Sequence, residues 1–285
     1  FSPPFTNLYI YSDSIADMGN SADDEEFFKH FDYLIPQIHR VTMTGRLCSV
    51  HCKDLPMYMG RDGAAGLRDF PGEIIRRFSA HGWTFHSRCT IWKDPVIEMQ
   101  RTKNHGLLYK NLCSDSSVSR QGMADYLLTF RKYGNGEFKN PVTANGERFA
   151  RYVGLRPPDM RKSNPYHPDS DEYRRWSIEV WQRYASPVWD DIDQTDVLNY
   201  QLGREANDEK HICPLQVQVI ERAIELWSNP GDVVFTPFMG IGSEVHTAIR
   251  CGRRGVGIEL KESYFKQAHK SIAALESEMN EGSLF

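Results

Sequence analysis

The stretch from Asp232 to Glu259 limits the fold more than any other part of this 285-residue chain. Asp232–Phe235 (DVVF) is a short apolar run with the β-branched character of a buried strand. A turn containing Gly240 and Gly242 leads into a helical pattern at Ser243–Arg250, and Arg254–Ile258 (RGVGI) is a second strand. Leu215, Val219, Ala223 and Leu226 mark a helix before the unit, closed by Asn229-Pro230-Gly231, and Lys261–Glu276 a helix after it. Strands alternating with helices predict an α/β fold with a mostly parallel sheet and helices on both faces.

Upstream, Phe27, Phe31, Leu34, Ile38 and Val41 recur at helical spacing and predict an amphipathic helix over 24–41. Arg46–Cys52 reads as a buried strand and Gly60–Gly66 as a glycine-rich mobile segment. Ile74, Ile75 and Phe78 predict a helix ending near Gly82, and Trp83–Trp92 and Ala124–Arg131 two more strands. Tyr133–Glu209 differs in texture, being rich in Pro, Asn, Asp, Arg and aromatics. It reads as an irregular insertion with one short helix around Tyr173–Arg183.

Charge and cysteine use narrow the chemistry. The net charge of −4 disfavours a protein that coats nucleic acid indiscriminately. From Arg76 to Lys132, however, ten Lys/Arg stand against four Asp/Glu, which suits a locally basic face or, equally, an unevenly charged solvated surface. The six cysteines form no Cys-x-x-Cys pair, and no His stands at zinc-ligand spacing from two of them. No metal and no disulfide are expected. No apolar run approaches the roughly 18 residues of a membrane-spanning helix. The sequence lacks a basic-then-apolar leader and opens at Phe1 inside what reads as a motif, so upstream residues are expected.

The turn Phe238-Met239-Gly240-Ile241-Gly242-Ser243 lets the backbone bend sharply at the carboxyl end of a strand and approach a ligand closely. Ser243 can cap the next helix, whose N-terminus favours negative groups. By itself this is also an ordinary tight turn. Glu259, at the end of the next strand, adds an acid able to accept from both hydroxyls of a ribose, which calls for a nucleoside ligand. The third glycine of a dinucleotide fingerprint is replaced by Val245, so S-adenosylmethionine is preferred over NAD. Phe1-Ser2-Pro3-Pro4-Phe5, read alone, is a stiff extended arm.

Taken together these motifs resemble the S-adenosylmethionine-dependent DNA amino-methyltransferases, in the permuted order of their β group, with a texture similar to phage and prophage enzymes. The resemblance rests on Ser2-Pro3-Pro4-Phe5, His211-Ile212-Cys213-Pro214, Asn229–Gly242 and Cys251–Glu259, and it spans most of the chain. It implies a Rossmann-like methyltransferase acting on double-stranded DNA in a prokaryotic or phage-infected cytoplasm, with no readable address that selects among compartments. Residues 1–132 would be its catalytic part, 133–209 its target-recognition region and 210–285 its cofactor-binding part.

By the same resemblance Ser2-Pro3-Pro4-Phe5 would be the catalytic loop, in which Ser2 and the Pro3 carbonyl orient the target amine and Phe5 stacks on the flipped base. Thr236, Pro237, Phe238, Gly240, Gly242, Ser243, Glu259 and His211 would line the cofactor site. No covalent intermediate is implied, so no cysteine nucleophile is expected. Arg101, Lys103, Lys110 and Arg120 are phosphate-contact candidates, and Arg174, Arg175 and Arg183 candidates for target recognition. The chain departs from the family pattern at Thr236, where Asp is usual beside the methionine amino group, and at Leu215-Gln216, where Lys-Pro is usual. Ser before Pro-Pro is typical of N4-cytosine enzymes. N6-adenine methylation, a catalytically silent DNA-binding relative and a nicotinamide-dependent enzyme are the alternatives.

Overall fold

The computed structural model describes residues 1–6, 12, 14–102, 106–107, 109, 113, 117, 119–134, 171–199 and 214–282. The described helices are α1 (Asp24–Val41), α2 (Met59–Asp62), α3 (Phe70–Ala80), α4 (Pro95–Thr102), α5 (Asp171–Ala185), α6 (Val217–Trp227), α7 (Ser243–Arg250) and α8 (Glu262–Gly282). The strands are β1 (Leu47–Lys53), β2 (Leu55–Met57), β3 (Gly66–Arg68), β4 (Thr84–Ile91), β5 (Asp125–Arg131), β6 (Val188–Trp189), β7 (Val233–Thr236) and β8 (Arg254–Gly257).

Local chemistry accounts for the helix starts. Asp23 caps α1 by accepting from the Glu26 N–H at 2.9 Å, while Glu26 reaches back to accept from the Ala22 N–H. Two otherwise orphaned donors are thereby satisfied reciprocally. Asp69 does the same for α3 through the Gly72 N–H at 2.7 Å, with Pro71 in the first turn where a missing N–H costs nothing.

These two helices cover one face of β1 and β5 with an aromatic core. Phe27, Phe28 and Phe31 of α1 meet Phe70 and Phe78 of α3, and the Phe78 ring stacks on Phe130 of β5 with centroids 4.2 Å apart. On α1 it is Ile35 that completes the buried stripe; Leu34 is half-buried and Val41 is exposed.

The first sheet runs β1-β5-β4-β6. β4 pairs in parallel with β6, a strand not expected within the insertion, and β7 with β8, so among the described strands the expected mostly parallel sheet is a mixed one. β5 instead runs antiparallel to both β1 and β4, pairing Lys53 with Asp125 and Ile91 with Asp125 at its first residue. The segment expected to be mobile, Gly60–Gly66, is ordered: α2 ends at Gly63 in the left-handed region, and β3 pairs antiparallel with β2.

β7 and β8 form a separate parallel pair covered by α7, on which α6 and α8 pack in turn. The two sheets are tied at their strand starts by a buried ion pair, Arg46 to Asp232 at 3.0 Å. Within the expected insertion, α5 and β6 are fastened to this body. Val180 and Tyr184 pack on Leu226, and Arg222 grips Asp191 through two bonds of 2.8 and 2.7 Å while lying against the Tyr184 and Trp189 rings.

Helix α7 lies so close to β8 that a Cβ at Gly255 would sit 2.9 Å from both the Cα and the carbonyl oxygen of Val245. Backbone cannot swing aside as a side chain can. Gly255→Ala should therefore cost about 1–3 kcal/mol in urea unfolding. Gly60→Ala, where a Cβ meets nothing within 4 Å, should be neutral or slightly stabilising.

Candidate active site

The carboxyl ends of β1, β7 and β8 open onto one cleft of about 490 Å³. Such ends are where open α/β sheets place their ligands. Ser2-Pro3-Pro4-Phe5 forms one wall; Pro237, Phe238, Gly240, Ser243 and Glu259 form the facing wall. Motifs more than 230 residues apart thus share a cavity.

The N-terminal loop is held by strand-like pairing. The Phe1 nitrogen donates to the Ser49 carbonyl at 3.0 Å and the Phe1 carbonyl accepts from the His51 N–H at 2.9 Å. This aligns the loop with the end of β1. The Phe1 ring packs on Phe238 with centroids 5.9 Å apart, joining the two walls. Phe5 lies edge-on to Phe70 and tilted against His51. The next residue, Thr6, has φ 50°, a left-handed conformation that a β-branched residue rarely adopts.

Sequence reasoning missed the polar floor of this cleft, a chain of buried groups behind Ser2. The Ser2 hydroxyl lies 3.1 Å from His51 Nδ1, and His51 Nε2 lies 3.1 Å from Asp125 Oδ2. Lys93 Nζ is 2.9 Å from the same carboxylate oxygen and Lys53 Nζ is 3.8 Å from the other. Lys53 also meets Glu98 at 3.5 Å, and Lys93 donates to Gln216 at 3.1 Å.

Burial lowers the His51 pKa more than the hydrogen bond and charge of Asp125 raise it, and the two lysines lower it further, so the ring is neutral at neutral pH. Burial alone would push the Asp125 carboxyl up, but His51, Lys93 and Lys53 hold it well below the usual carboxylate range. A carboxylate only accepts, so the His51 proton sits on Nε2. Nδ1 then carries a lone pair, and the Ser2 hydroxyl donates to it. The signal was present in the sequence as His51 and Asp125 in strands with buried apolar neighbours, but only pairing puts them together.

On the opposite wall the glycines divide their work. Gly240 has φ 56° and an added Cβ would enter open space, so the backbone there is free to face a ligand. Gly242, φ 94°, is needed for packing instead: its Cβ would come within 3.0 Å of Ala268. Thr236, at the end of β7 before the cleft-lining Pro237, is 1 % exposed.

The Glu259 carboxylate accepts from the Gly240 N–H at 2.7 Å and the Lys261 N–H at 2.8 Å, which fixes it at the rim of the turn. Burial raises its pKa against these bonds. The buried Ser243 hydroxyl lines the cleft without a hydrogen-bond partner among the described residues. Glu244, on the next position, is a cleft-lining carboxylate that is only 8 % exposed, and burial raises its pKa. An orphaned hydroxyl, a buried acid and an open glycine fit a polar ligand of nucleoside size.

Of the other expected site residues, His211, Lys103 and Lys110 lie outside the described residues. Arg101 and Arg174 lie on α4 and α5 with side chains outside the description. Arg175 and Arg183 are exposed on α5, the former 3.4 Å from Glu172. Arg120 is half-buried and its strand bridge pairs it with Gly106. Cys48, Cys89 and Cys251 are buried thiols pushed up to about 12 by desolvation, and Cys52 is raised in the same way. Among the described residues no group of three or more His, Cys, Asp or Glu is placed to hold a metal ion, and no helix is long and apolar enough to cross a membrane.

The sequence model of the N6/N4 DNA methylase family matches residues 1–270. This chain belongs to the DNA methylase family. Among curated relatives of this methylase, an Escherichia coli K12 protein assigned as a methylase, YubD, is 32% identical over 87 residues, 30% of this chain and 37% of its own. The type II methyltransferase M1.MboII of Moraxella bovis is 38% identical over 66 residues, 23% of this chain and 25% of its own. The chain thus spans well under two thirds of either relative. A Thermus thermophilus protein assigned as a DNA modification methylase, solved with S-adenosyl-L-methionine, matches at TM-score 0.61 and 21% identity, over 96% of this chain and 84% of its own. That likeness shows the fold.

The neutral, buried His51 gives the methylase a testable acid sensitivity. Its unfolded chain takes up a proton near the ordinary value of 6.5, whereas the folded state resists it. Stability is therefore lost as pH falls from 6.5 towards the lower folded value. His39, His86 and His246 shift the same way. The thermal midpoint should fall between pH 7.5 and 5, and by less in His51→Gln; equal slopes in the two proteins would show that His51 is not held neutral.

Proposed function

We propose that this chain transfers a methyl group from S-adenosylmethionine to the exocyclic amine of a base flipped out of double-stranded DNA, with N4 of cytosine as the target. The observation that carries the reading is the single cleft uniting Ser2-Pro3-Pro4-Phe5 with the glycine turn and Glu259. When bound, the cofactor supplies an electrophilic sulfonium methyl group. Family membership supports the reaction class, and the orphaned Ser243 hydroxyl and buried acids support the cofactor.

On this reading Glu259 accepts from the ribose hydroxyls with its remaining lone pairs, Phe238 packs on the cofactor, and Ser243 and the first turn of α7 receive its carboxylate. Glu244, with its carboxyl buried in the cleft wall, receives the methionine ammonium, a charge that Thr236 cannot balance. Such a cation offsets the cost of burying the acid.

The target amine is a weak nucleophile because its lone pair is delocalised into the ring. Ser2 donates its own proton to His51 and so presents lone pairs outward, where with the Pro3 carbonyl it accepts from the two amine hydrogens. These bonds favour a tetrahedral nitrogen and hold it in line, and the work is positioning and electrostatics. Phe5 stacks on the base. Residues 133–209 form the target-recognition region, with Arg174, Arg175 and Arg183 reading DNA and Arg101, Lys103, Lys110 and Arg120 gripping phosphates.

A hydroxyl accepts from the N6 amine of adenine as well as from N4 of cytosine, so the product decides the base. Unmethylated DNA incubated with labelled cofactor and digested to nucleosides should yield N4-methylcytosine. N6-methyladenine would keep the reaction and change the target; C5-methylcytosine would contradict a mechanism without a cysteine nucleophile.

The cofactor contacts are separable by calorimetric titration. Glu259→Ala should weaken S-adenosylmethionine binding at least about tenfold, through lost charge-assisted hydrogen bonds worth roughly 1.5–3 kcal/mol each before compensation. Glu244→Gln should weaken S-adenosylmethionine but leave 5′-methylthioadenosine, which lacks the ammonium, unaffected. Equal effects on both ligands would remove Glu244 from the ammonium site.

A further inference from the structure

The proposed reaction creates a proton, and the floor of the cleft holds a buried route for it. When the amine lone pair forms the N–C bond and the C–S bond breaks with its electrons left on sulfur, the nitrogen becomes positively charged. It regains neutrality by releasing one N–H proton. Ser2 stands at one of those hydrogens on the reading above, and its own hydroxyl already points at a nitrogen lone pair.

We propose that Ser2, His51 and Asp125 form a proton relay: the methylated amine gives a proton to Ser2 Oγ as the Ser2 hydroxyl proton passes to His51 Nδ1. This extends the proposed methyl transfer and rests on it. The base amine loses one proton, His51 gains one, and Ser2 ends as it began. The resulting imidazolium keeps its Nε2–H on the Asp125 carboxylate, so the new positive charge forms against an anion already in place. The proton leaves His51 for solvent when the cleft empties.

Geometry sets the direction of the relay. The Ser2–His51 and His51–Asp125 separations are both 3.1 Å, within hydrogen-bond reach. The groups facing His51 are Ser2 and Phe5 from the loop, Asp125 from β5, Lys53 from its own strand and Lys93 beyond β4, with Glu98 of α4 behind Lys53. Lys53 and Lys93 keep Asp125 ionised, so the carboxylate stabilises the imidazolium without taking the proton itself. His51 touches neither methyl donor nor base on this account. It acts through Ser2 and is a positioning and proton-accepting residue.

A purely structural role for His51 gives different results, and two measurements separate them. The first is single-turnover methyl transfer to DNA from pH 5 to 9, with cofactor and DNA affinities measured alongside. The wild type should slow as pH falls, with the slope of one proton. His51→Gln, which keeps a side-chain amide to bridge Ser2 and Asp125 but cannot accept a proton, should be slower by on the order of 100-fold and lose that slope. Its affinities should stay within about twofold. A variant rate within about threefold of wild type, or a persisting slope, overturns the relay. The second measurement is nitrogen NMR of imidazole-labelled protein without ligand, which should show neutral His51 protonated on Nε2 and an Nδ1 resonance that moves in Ser2→Ala. Protonation on Nδ1 overturns the relay whatever the activity. Absence of methyl transfer by the wild type to any DNA overturns the proposed reaction and the relay with it.

Discussion

A carboxylate taken out of water must be surrounded by donors and positive charge, and Asp125 is the place where this protein meets that demand. It is the first residue of β5 and only 6 % exposed. His51 and Lys53 from β1 and Lys93 from beyond β4 converge on it. Each of these elements is thereby fixed relative to the others at the end that faces the cleft. Lys93 extends the constraint to Gln216 at the start of α6, and His51 extends it to Ser2. Removing the acid would leave Lys93 buried without its anion and Lys53 with Glu98 alone, a larger loss than any one of the bonds.

The cleft is consequently built on rigid supports on both sides. One wall hangs from β1 through two backbone hydrogen bonds at Phe1, with the following Thr6 in a left-handed conformation. The other is a turn whose Gly242 is pressed against Ala268 and whose Glu259 is tethered by two N–H groups. Among the described residues, the polar groups lining the cleft include the Ser2 and Ser243 hydroxyls and the Glu244 and Glu259 carboxylates. Preorganised donors and acceptors of this kind stabilise developing charge without having to reorganise during the reaction.

Segments whose local pattern decides their structure were legible from the sequence. Helix α1 runs over the expected 24–41 and α7 over the expected 243–250, since spacing and flanking turns agree there. The expected Ser243 cap is not made, because Gly242 takes the N-cap position and Ser243 is the first helical residue. The strands around Val50, Cys89 and Leu128 lie within a residue or two of their expected limits. Gly60–Gly66 was misread because glycine content signals conformational freedom in an isolated segment, whereas pairing of β3 with β2 orders it. Ile35 is fully buried beside Leu34, which is half-buried and also packs on the core, because the position of the aromatic core, and not the spacing alone, selects which neighbour is covered most.

The sequence by itself determined the two motif walls, the acid after the second strand and the family they resemble, because each is a short run of fixed order in which neighbours in chain are neighbours in space. Tertiary structure alone decided that β5 runs antiparallel between β1 and β4, and this reversal brings Asp125 opposite the carboxyl end of β1. It also decided that Gly242 serves packing, that Thr236 is buried, and that His51 stands between Ser2 and Asp125. Those facts depend on strand register and on contacts between residues 49 and 74 positions apart. No local pattern encodes them, because burial and hydrogen-bond partners are properties of the assembled sheet.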